Sequence, residues 1–594
     1  MFDPTTYAKD KKYSISYFVP SEDGHKLALG VAENGAELST IRIINVDTKK
    51  MYPESIFPSW FGVSGWNPDN TGFLYTPENS ADMKDINRSM NTKARYHIIG
   101  TDPKQDREIF SSAKYTKLGI KPNEIPYVTY SEDFRYVTAF LANVDRRMNA
   151  YIAPASDLLK PTITWKRLAA PEDSVMNAVT VGDRMFIQSI KSARKGQIMM
   201  TDARQPDVHT ATVILPEGET KIESIAAGKD YLFITRNDGI NTTAQQYNTK
   251  ANRWETIQLP ALGTASVAPL EPSTNDCLLY LTSWKQPATI YEYDPTDKVT
   301  AVSPFHIEAK YPGVDELVVE EVSVPSHDGT MIPLSIIYNK NVKRDGSAVC
   351  YMTGYGAYGI SGDPYFSTRN LALLNKGVIV AETHPRGGSE KGQAWYEAGY
   401  KTTKPNTWKD FIASGEYLIK NGYTSIGKLI GEGTSAGGIL IGRAITERPD
   451  LFAAAISNVG CNNALRMENS PNGPANTPEF GTVKDSVEAM ALYEMDAFQH
   501  VKEGTKYPAV ICVGGMNDPR VIAWQPGKFA AALQNASTSG KPVLMQVNYD
   551  NGHFTEDKKV TFRNFANMFT FGLWQAGHPD FQPVTGKPKE VVRK

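Results

Sequence analysis

From about residue 13 to 305 the apolar positions fall in short β-like runs broken by turn residues, with almost no helical periodicity. A loose unit recurs, in which a polar turn is followed by a compact apolar strand and then a second strand. The copies read "VPSEDGHKLALGV", "GWNPDNTGFLYT", "TYSEDFRYVTAF", "VTVGDRMFIQSI", "AAGKDYLFITR" and "STNDCLLYLTS". Their Asp-Gly and Asn-Asp dipeptides suit tight hairpin turns, and they recur every forty to fifty residues or so, roughly the period of a propeller blade. Six blades are visible. One or two β-sandwiches would also fit the pattern.

Past "FHIEAKYPGVDEL" the pattern changes. "VVEEVSVPSHDGTMIPLSIIYNK" reads as a hairpin, after which apolar strands ("SAVCYMTG", "GVIVAE", "GKLIGEG", "LFAAAISNV", "YPAVICVGG", "KPVLMQVNYD") alternate with helical segments. That alternation predicts a doubly wound, mostly parallel sheet with helices on both faces. The expected division is a propeller over 1–308 and an α/β domain over 309–594. A last helix from about Thr555 is expected to bury one face carrying Phe562, Phe565, Phe569 and Leu573.

Composition agrees with two domains, since 594 residues with 41% hydrophobic content exceed what one core organises. A formal net charge of -2 supplies no field for a nucleic acid or an anionic membrane, and neither partner is expected. The basic stretches "KDKK" and "KPKEVVRK" are read as solvated surface. Cys277, Cys350, Cys461 and Cys512 show no paired spacing, so neither a disulfide framework nor a zinc site is indicated. The first residues lack a signal peptide's apolar segment, and no run approaches a membrane span. As written, the chain reads as soluble and cytoplasmic.

Candidate chemistry centres on "GEGTSAGG". Gly433-Thr434-Ser435-Ala436-Gly437 is a G-x-S-x-G between a strand-like run and a helix-like one, the setting of a nucleophile elbow. There the amide of Ala436 can face a developing oxyanion. In this topology an acid and then a histidine follow in chain order. Asp518 comes just after "YPAVICVGG", and His553 lies in "NGHF" after "VLMQVNYD". Taken singly, Asp518 could be a turn residue before Pro519 and His553 a surface loop histidine; their joint placement at strand carboxyl ends favours a triad. His384 is the one rival base. It precedes the serine and is read as structural.

These residues resemble the prolyl oligopeptidase family of serine peptidases, whose members place a seven-bladed propeller over an α/β-hydrolase domain. The matching pieces include "SHDGTMIPL", "TGYGAYGI", "HPRGGSEKGQAWYEAGY", "GTSAGG", "RPDLFAAAISNVG", "PEFGT", "YPAVICVGGMNDPRV" and "NGHF". The resemblance implies Ser435 as nucleophile, His553 as base and Asp518 as its orienting acid. It also implies that Tyr355 and the Ala436 amide form the oxyanion hole, and that Arg520 binds a substrate carbonyl. Tyr358, Phe480 and Val521 match apolar pocket positions. Short peptides are the implied substrates, without cofactor or metal, and a monomer is expected.

Two departures matter. Where prolyl members carry a tryptophan and oligopeptidase B a glutamate, this chain has Asn476, although the neighbouring Glu479 keeps a basic preference open. Cleavage after proline or a small apolar residue is favoured over cleavage after Arg or Lys. The same scaffold would also suit an exopeptidase or an esterase, or a truncated propeller scaffold without activity. The chain also starts where the family's first blade ends, which implies either a truncated or mis-started reading frame or a shortened variant; with residues missing ahead of it, a periplasmic location stays open.

Overall fold

The computed structural model describes residues 2–8, 11–271, 273–555 and 557–583; the basic "KPKEVVRK" lies outside them. Six four-stranded antiparallel sheets occupy Tyr13–Ser59, Val63–Phe110, Ile125–Ala169, Val175–Leu215, Lys221–Ile257 and Thr264–Val302, each a meander in chain order. The first strands of the sheets surround a central channel lined by Gly65, Tyr130, Ala178 and Ala226. This is a propeller.

The polar turns have a shared local cause. Asp23, Asp69 and Asp133 each accept a hydrogen bond from the backbone amide two residues on, His25, Thr71 and Arg135. The residue between takes a left-handed conformation: Gly24, Asn70 and Phe134 have φ of 71°, 59° and 58°. An aspartate side chain thus replaces a backbone acceptor and closes the hairpin between the first two strands.

The remaining strands form one eight-stranded sheet, labelled here β1 Leu317–Pro325, β2 Met331–Asn339, β3 Cys350–Thr353, β4 Ile379–Thr383, β5 Leu429–Thr434, β6 Ala454–Asn458, β7 Ala509–Gly515 and β8 Val543–Asn548. Their order is β1-β2-β4-β3-β5-β6-β7-β8. The β1–β2 and β2–β4 pairs are antiparallel, and the rest are parallel.

The near-continuous apolar runs follow from burial on both faces. On β3, Cys350 and Met352 enter one core with Phe411, Leu440 and Phe452, whereas Tyr351 enters the opposite core with Leu373, Ile456 and Phe571. On β7, Val510 and Cys512 alternate in the same way with Ile511 and Val513. Each such Val, Ile or Phe side chain contributes about 1.5–3 kcal/mol on burial. All four cysteines are buried free thiols.

The last helix differs from its expected form. It spans Lys558–Gln575, capped by Asp557, whose carboxylate accepts from the amides of Lys559 and Val560. Gly572 packs directly on the sheet, where a Cβ would meet Ile430 at 3.1 Å. Met568, Phe571 and Leu573 are therefore buried and Phe565 and Phe569 partly so, while Phe562, in the first turns, is 57% exposed. Among the described residues no helix is long and apolar enough to cross a membrane.

Candidate active site

Ser435 sits between β5 and the helix Gly437–Glu447 with φ of 58°, a left-handed value that a serine holds only under constraint. Two glycines permit the turn. A Cβ on Gly433 would lie 2.0 Å from the Gly437 carbonyl oxygen, so the strand end and the helix start pack backbone on backbone. The Ser435 amide donates to the Asn458 carbonyl on β6 at 2.9 Å, which fixes the turn to the sheet. The hydroxyl is left at the carboxyl end of the strands.

Asp518 follows β7 and is 3% exposed. Its Oδ1 accepts from the amides of Arg520 and Val521, both at 2.9 Å. Its Oδ2 lies 2.7 Å from Nδ1 of His553. Since a carboxylate only accepts, Nδ1 carries the proton, and the bare Nε2 accepts the Ser435 hydroxyl at 2.8 Å. His553 is equally buried. The three residues proposed from the sequence are thus joined in one hydrogen-bonded chain.

Tyr355 lies in the loop after β3, and burial holds its phenol well above the usual range, opposed by its contact with the Ser435 hydroxyl. Ala436 precedes the first turn of the Gly437–Glu447 helix, where backbone amides are unsatisfied and the helix dipole favours negative charge. His384 is elsewhere. It is fully buried, its Nε2 lies 2.8 Å from the Ser335 hydroxyl, and burial pushes its pKa down to about 4.

Beside Ser435 opens a cleft of about 440 Å³, and it contains every pocket residue the sequence nominated: Tyr358, Asn476, Phe480, Arg520 and Val521. Tyr358 meets Phe480 edge to face at 5.3 Å and lies nearly parallel to Tyr355 at 6.5 Å. The Asn476 amide is engaged, accepting from the Tyr358 hydroxyl and donating to the Asn472 carbonyl, both at 2.9 Å.

Glu479, which the sequence left open as a determinant for basic substrates, is not in the cleft. It is 1% exposed, and its carboxylate accepts from the Tyr358 amide at 2.7 Å and the Tyr396 hydroxyl at 2.5 Å. Its charge is spent on holding the loop that carries Tyr358. Among the described residues, no aspartate or glutamate lines the cleft.

The propeller supplies the other wall, which sequence reasoning missed. Trp60 and Phe61 line the cleft, stacked at 6.2 Å. The Trp60 ring lies under two guanidinium groups, Arg88 at 4.5 Å and Arg520 at 5.4 Å. Arg88, almost fully buried, donates to Asn472 Oδ1 at 2.6 Å and so ties the propeller to the Asn476 loop. Glu37 reaches across as well. Its Oε2 accepts from Arg520 Nε at 3.0 Å, and its Oε1 accepts from the His553 amide at 3.0 Å.

Both halves of the chain match known proteins. Residues 364–578 match the model of the prolyl oligopeptidase family, and residues 1–304 match that of the prolyl oligopeptidase N-terminal β-propeller domain. The chain is 30% identical to a prolyl endopeptidase of Elizabethkingia meningoseptica over 97% of its own length and 80% of that protein's. It is 27% identical to dipeptidyl aminopeptidase BI of Pseudoxanthomonas mexicana, over 95% and 76%. A solved structure from a study of two prolyl endopeptidases superposes with a TM-score of 0.88 at 25% identity, covering 98% of this chain and 84% of that one. Oligopeptidase B of Trypanosoma brucei shares the fold, with a TM-score of 0.85 at 24% identity over 97% and 81%. With a serine elbow, an acid and a histidine in hydrogen-bonded order beneath a propeller, the chain belongs to the prolyl oligopeptidase family.

Proposed function

We propose that the chain is a serine endopeptidase that hydrolyses short peptides after proline or a small apolar residue. Ser435 Oγ attacks the scissile carbonyl carbon while His553 Nε2 takes the hydroxyl proton. The oxyanion is met by the Tyr355 hydroxyl and the Ala436 amide. Collapse of the tetrahedral intermediate breaks the C–N bond, and the leaving amine takes the proton back from His553. Water, deprotonated by the same histidine, then attacks the acyl-enzyme and frees the acid and Ser435. Asp518 holds the imidazole in its tautomer throughout. Arg520, at the edge of the cleft, is read as the donor to a substrate carbonyl.

The observation that carries the substrate preference is the lining of the cleft. Tyr358, Phe480, Val521 and Trp60 offer apolar and aromatic surface, and with Glu479 turned inward nothing there balances the charge of an Arg or Lys side chain. The names of the relatives support the same reading. For an exopeptidase, a propeller carboxylate would have to meet the substrate's ammonium group. Glu37 is the propeller carboxylate beside the histidine, but it does not line the cleft, and Arg520 and the His553 amide already occupy it. The propeller over the site favours short peptides over folded proteins, and a monomer is the proposed state.

The test compares blocked chromogenic peptides ending in proline, alanine and arginine, using the native chain and Ser435→Ala. Serine-dependent cleavage with proline or alanine ahead of arginine is expected. Faster release from arginine would overturn the preference, and equal rates for native and Ser435→Ala would overturn the mechanism.

A further inference from the structure

We propose that a second cavity, within the α/β domain behind His553, binds a small zwitterion: a free α-amino acid with an aromatic or large apolar side chain. The proposal stands on its own geometry and does not depend on the peptidase reading. The cavity measures about 540 Å³ and is walled by the carboxyl ends of β3, β5 and β7 and by the helices Thr368–Leu374 and Lys558–Gln575. Tyr355 lines both this space and the substrate cleft, whereas Ser435 and Ala436 face the cleft and His553 faces the cavity.

Two carboxylates stand where the pattern of the sheet asks for apolar side chains. On β4 and β5, Val380 and Ile430 enter the core that packs on the last helix, and Glu382 and Glu432 follow them by two positions, on the same face. Both acids pair in register with Thr353 of β3, one from each side. They therefore stand side by side at the strand ends, about 10 Å apart at the backbone. Among the described residues they meet hydroxyl groups and no salt-bridge partner. Thr353 donates to Glu382, and Glu432 accepts from Tyr351 at 2.5 Å and from Thr434 at 3.1 Å. Glu432 is 7% exposed, and a carboxylate so deep is costly without a cation. Burial pushes Glu382 up to about 7 and raises Glu432 as well, which Arg369 opposes in part.

That arginine faces the acids without reaching them. Arg369 lines the same cavity with its guanidinium over the Phe565 ring at 4.0 Å, and among the described residues it forms no ion pair. Opposite charges on the walls of one void complement a molecule that carries the reverse pair, its ammonium toward Glu382 and Glu432 and its carboxylate toward Arg369. Asn551 is an independent sign of a ligand. It lines the void and is 8% exposed, yet its side-chain amide has no hydrogen-bond partner among the described residues. A buried amide of this kind calls for one. Tyr365, Phe565 and Phe569 add aromatic surface for a side chain, and the volume falls within the range of small-molecule sites.

The test uses the full chain as Ser435→Ala, titrated calorimetrically with L-phenylalanine, and saturable one-to-one binding is expected. N-acetyl-L-phenylalanine lacks the ammonium and L-phenylalanine amide lacks the carboxylate, so each is expected to bind about tenfold more weakly or worse. Glu432→Gln keeps the acceptor for Tyr351 and removes the charge, and Arg369→Gln removes the cation. Each is expected to weaken L-phenylalanine to the same degree. Trp60→Ala, in the wall of the cleft, is expected to leave that affinity unchanged.

Absence of saturable binding would overturn the proposal. So would equal affinity for either derivative, or parental affinity in either charge variant. A loss in Trp60→Ala as large as theirs would also overturn it, by moving the site to the substrate cleft. Should Glu432→Gln fail to fold, Glu382→Gln removes the neighbouring charge, and weakened or parental binding decides in the same sense.

Discussion

The α-carbon of Gly515 faces the carbonyl of Gly552 so closely that a Cβ on Gly515 would stand 2.1 Å from that oxygen. Gly515 ends β7, and Gly552 precedes His553. The end of one strand therefore serves as the seat for the histidine loop, and only a residue without a side chain fits there. Gly515→Ala is expected to push the loop outward and lower kcat about a hundredfold, through a displacement on the order of 1 Å in the imidazole. Steady-state kinetics beside a thermal melt check this, and a folded variant with native kcat would refute it.

Tyr355 allows a subtler change. Tyr355→Phe keeps the ring stacked on Tyr358 and removes only the hydroxyl. If that hydroxyl is one of two oxyanion donors, kcat falls about 10²–10³-fold with KM nearly constant. A rise in KM at unchanged kcat would instead make Tyr355 a ground-state binding residue.

Trp60 belongs to the propeller yet forms part of the cleft wall. Trp60→Ala is expected to raise KM for a blocked tetrapeptide by roughly 5–30-fold, the equivalent of about 1–2 kcal/mol of aromatic contact, while the rate of fluorophosphonate labelling stays native. Equal KM values for the two proteins would exclude contact between this side chain and the substrate.

A pH effect on stability follows from acids buried near the seam between the halves. Burial pushes Glu321, Glu382 and Glu390 up to about 7 and Asp363 up to about 6. Lys221 and Asn237 reach them from the propeller, Asn237 donating to Asp363 Oδ1 at 3.0 Å and Lys221 donating to Ser389 beside Glu390. A carboxyl group whose pKa is raised on folding binds its proton more tightly in the folded state. Stability is therefore present below the unfolded value near 4 and is lost as pH climbs toward 7. His384, pushed down to about 4, acts in the opposite sense over part of this window and offsets one of the four. The melting temperature is expected to be higher at pH 5 than at pH 7, and Glu390→Gln is expected to reduce the difference. An increase from pH 5 to pH 7 would contradict the assignment.

Ser435, Asp518 and His553 were legible in the sequence because each stands just beyond an apolar strand and because small residues around Ser435 are needed for the elbow. Those are local signals, and the parallel sheet converts them into proximity. Six blades were legible because polar turns and short apolar strands repeat, the first three of those turns closed by an aspartate. Glu37, Trp60 and Arg88 were not. Each is an ordinary loop residue in its own blade, and each acquires its place only where the two halves meet. Glu479 illustrates the reverse: a charge near the pocket in sequence, it faces inward because the Tyr358 amide and the Tyr396 hydroxyl claim it.

The placement of His553 also has a meaning in time. Synthesis runs from the amino end, so the propeller strands, which end at Val302, leave the ribosome well before Ser435, and Ser435 before its base. Under the proposed mechanism, a nascent chain therefore carries a nucleophile without a general base for the last stretch of its synthesis. When the histidine finally emerges, the propeller residues that wall the cleft have already been synthesised. A peptidase built in this order has its gate before its blade.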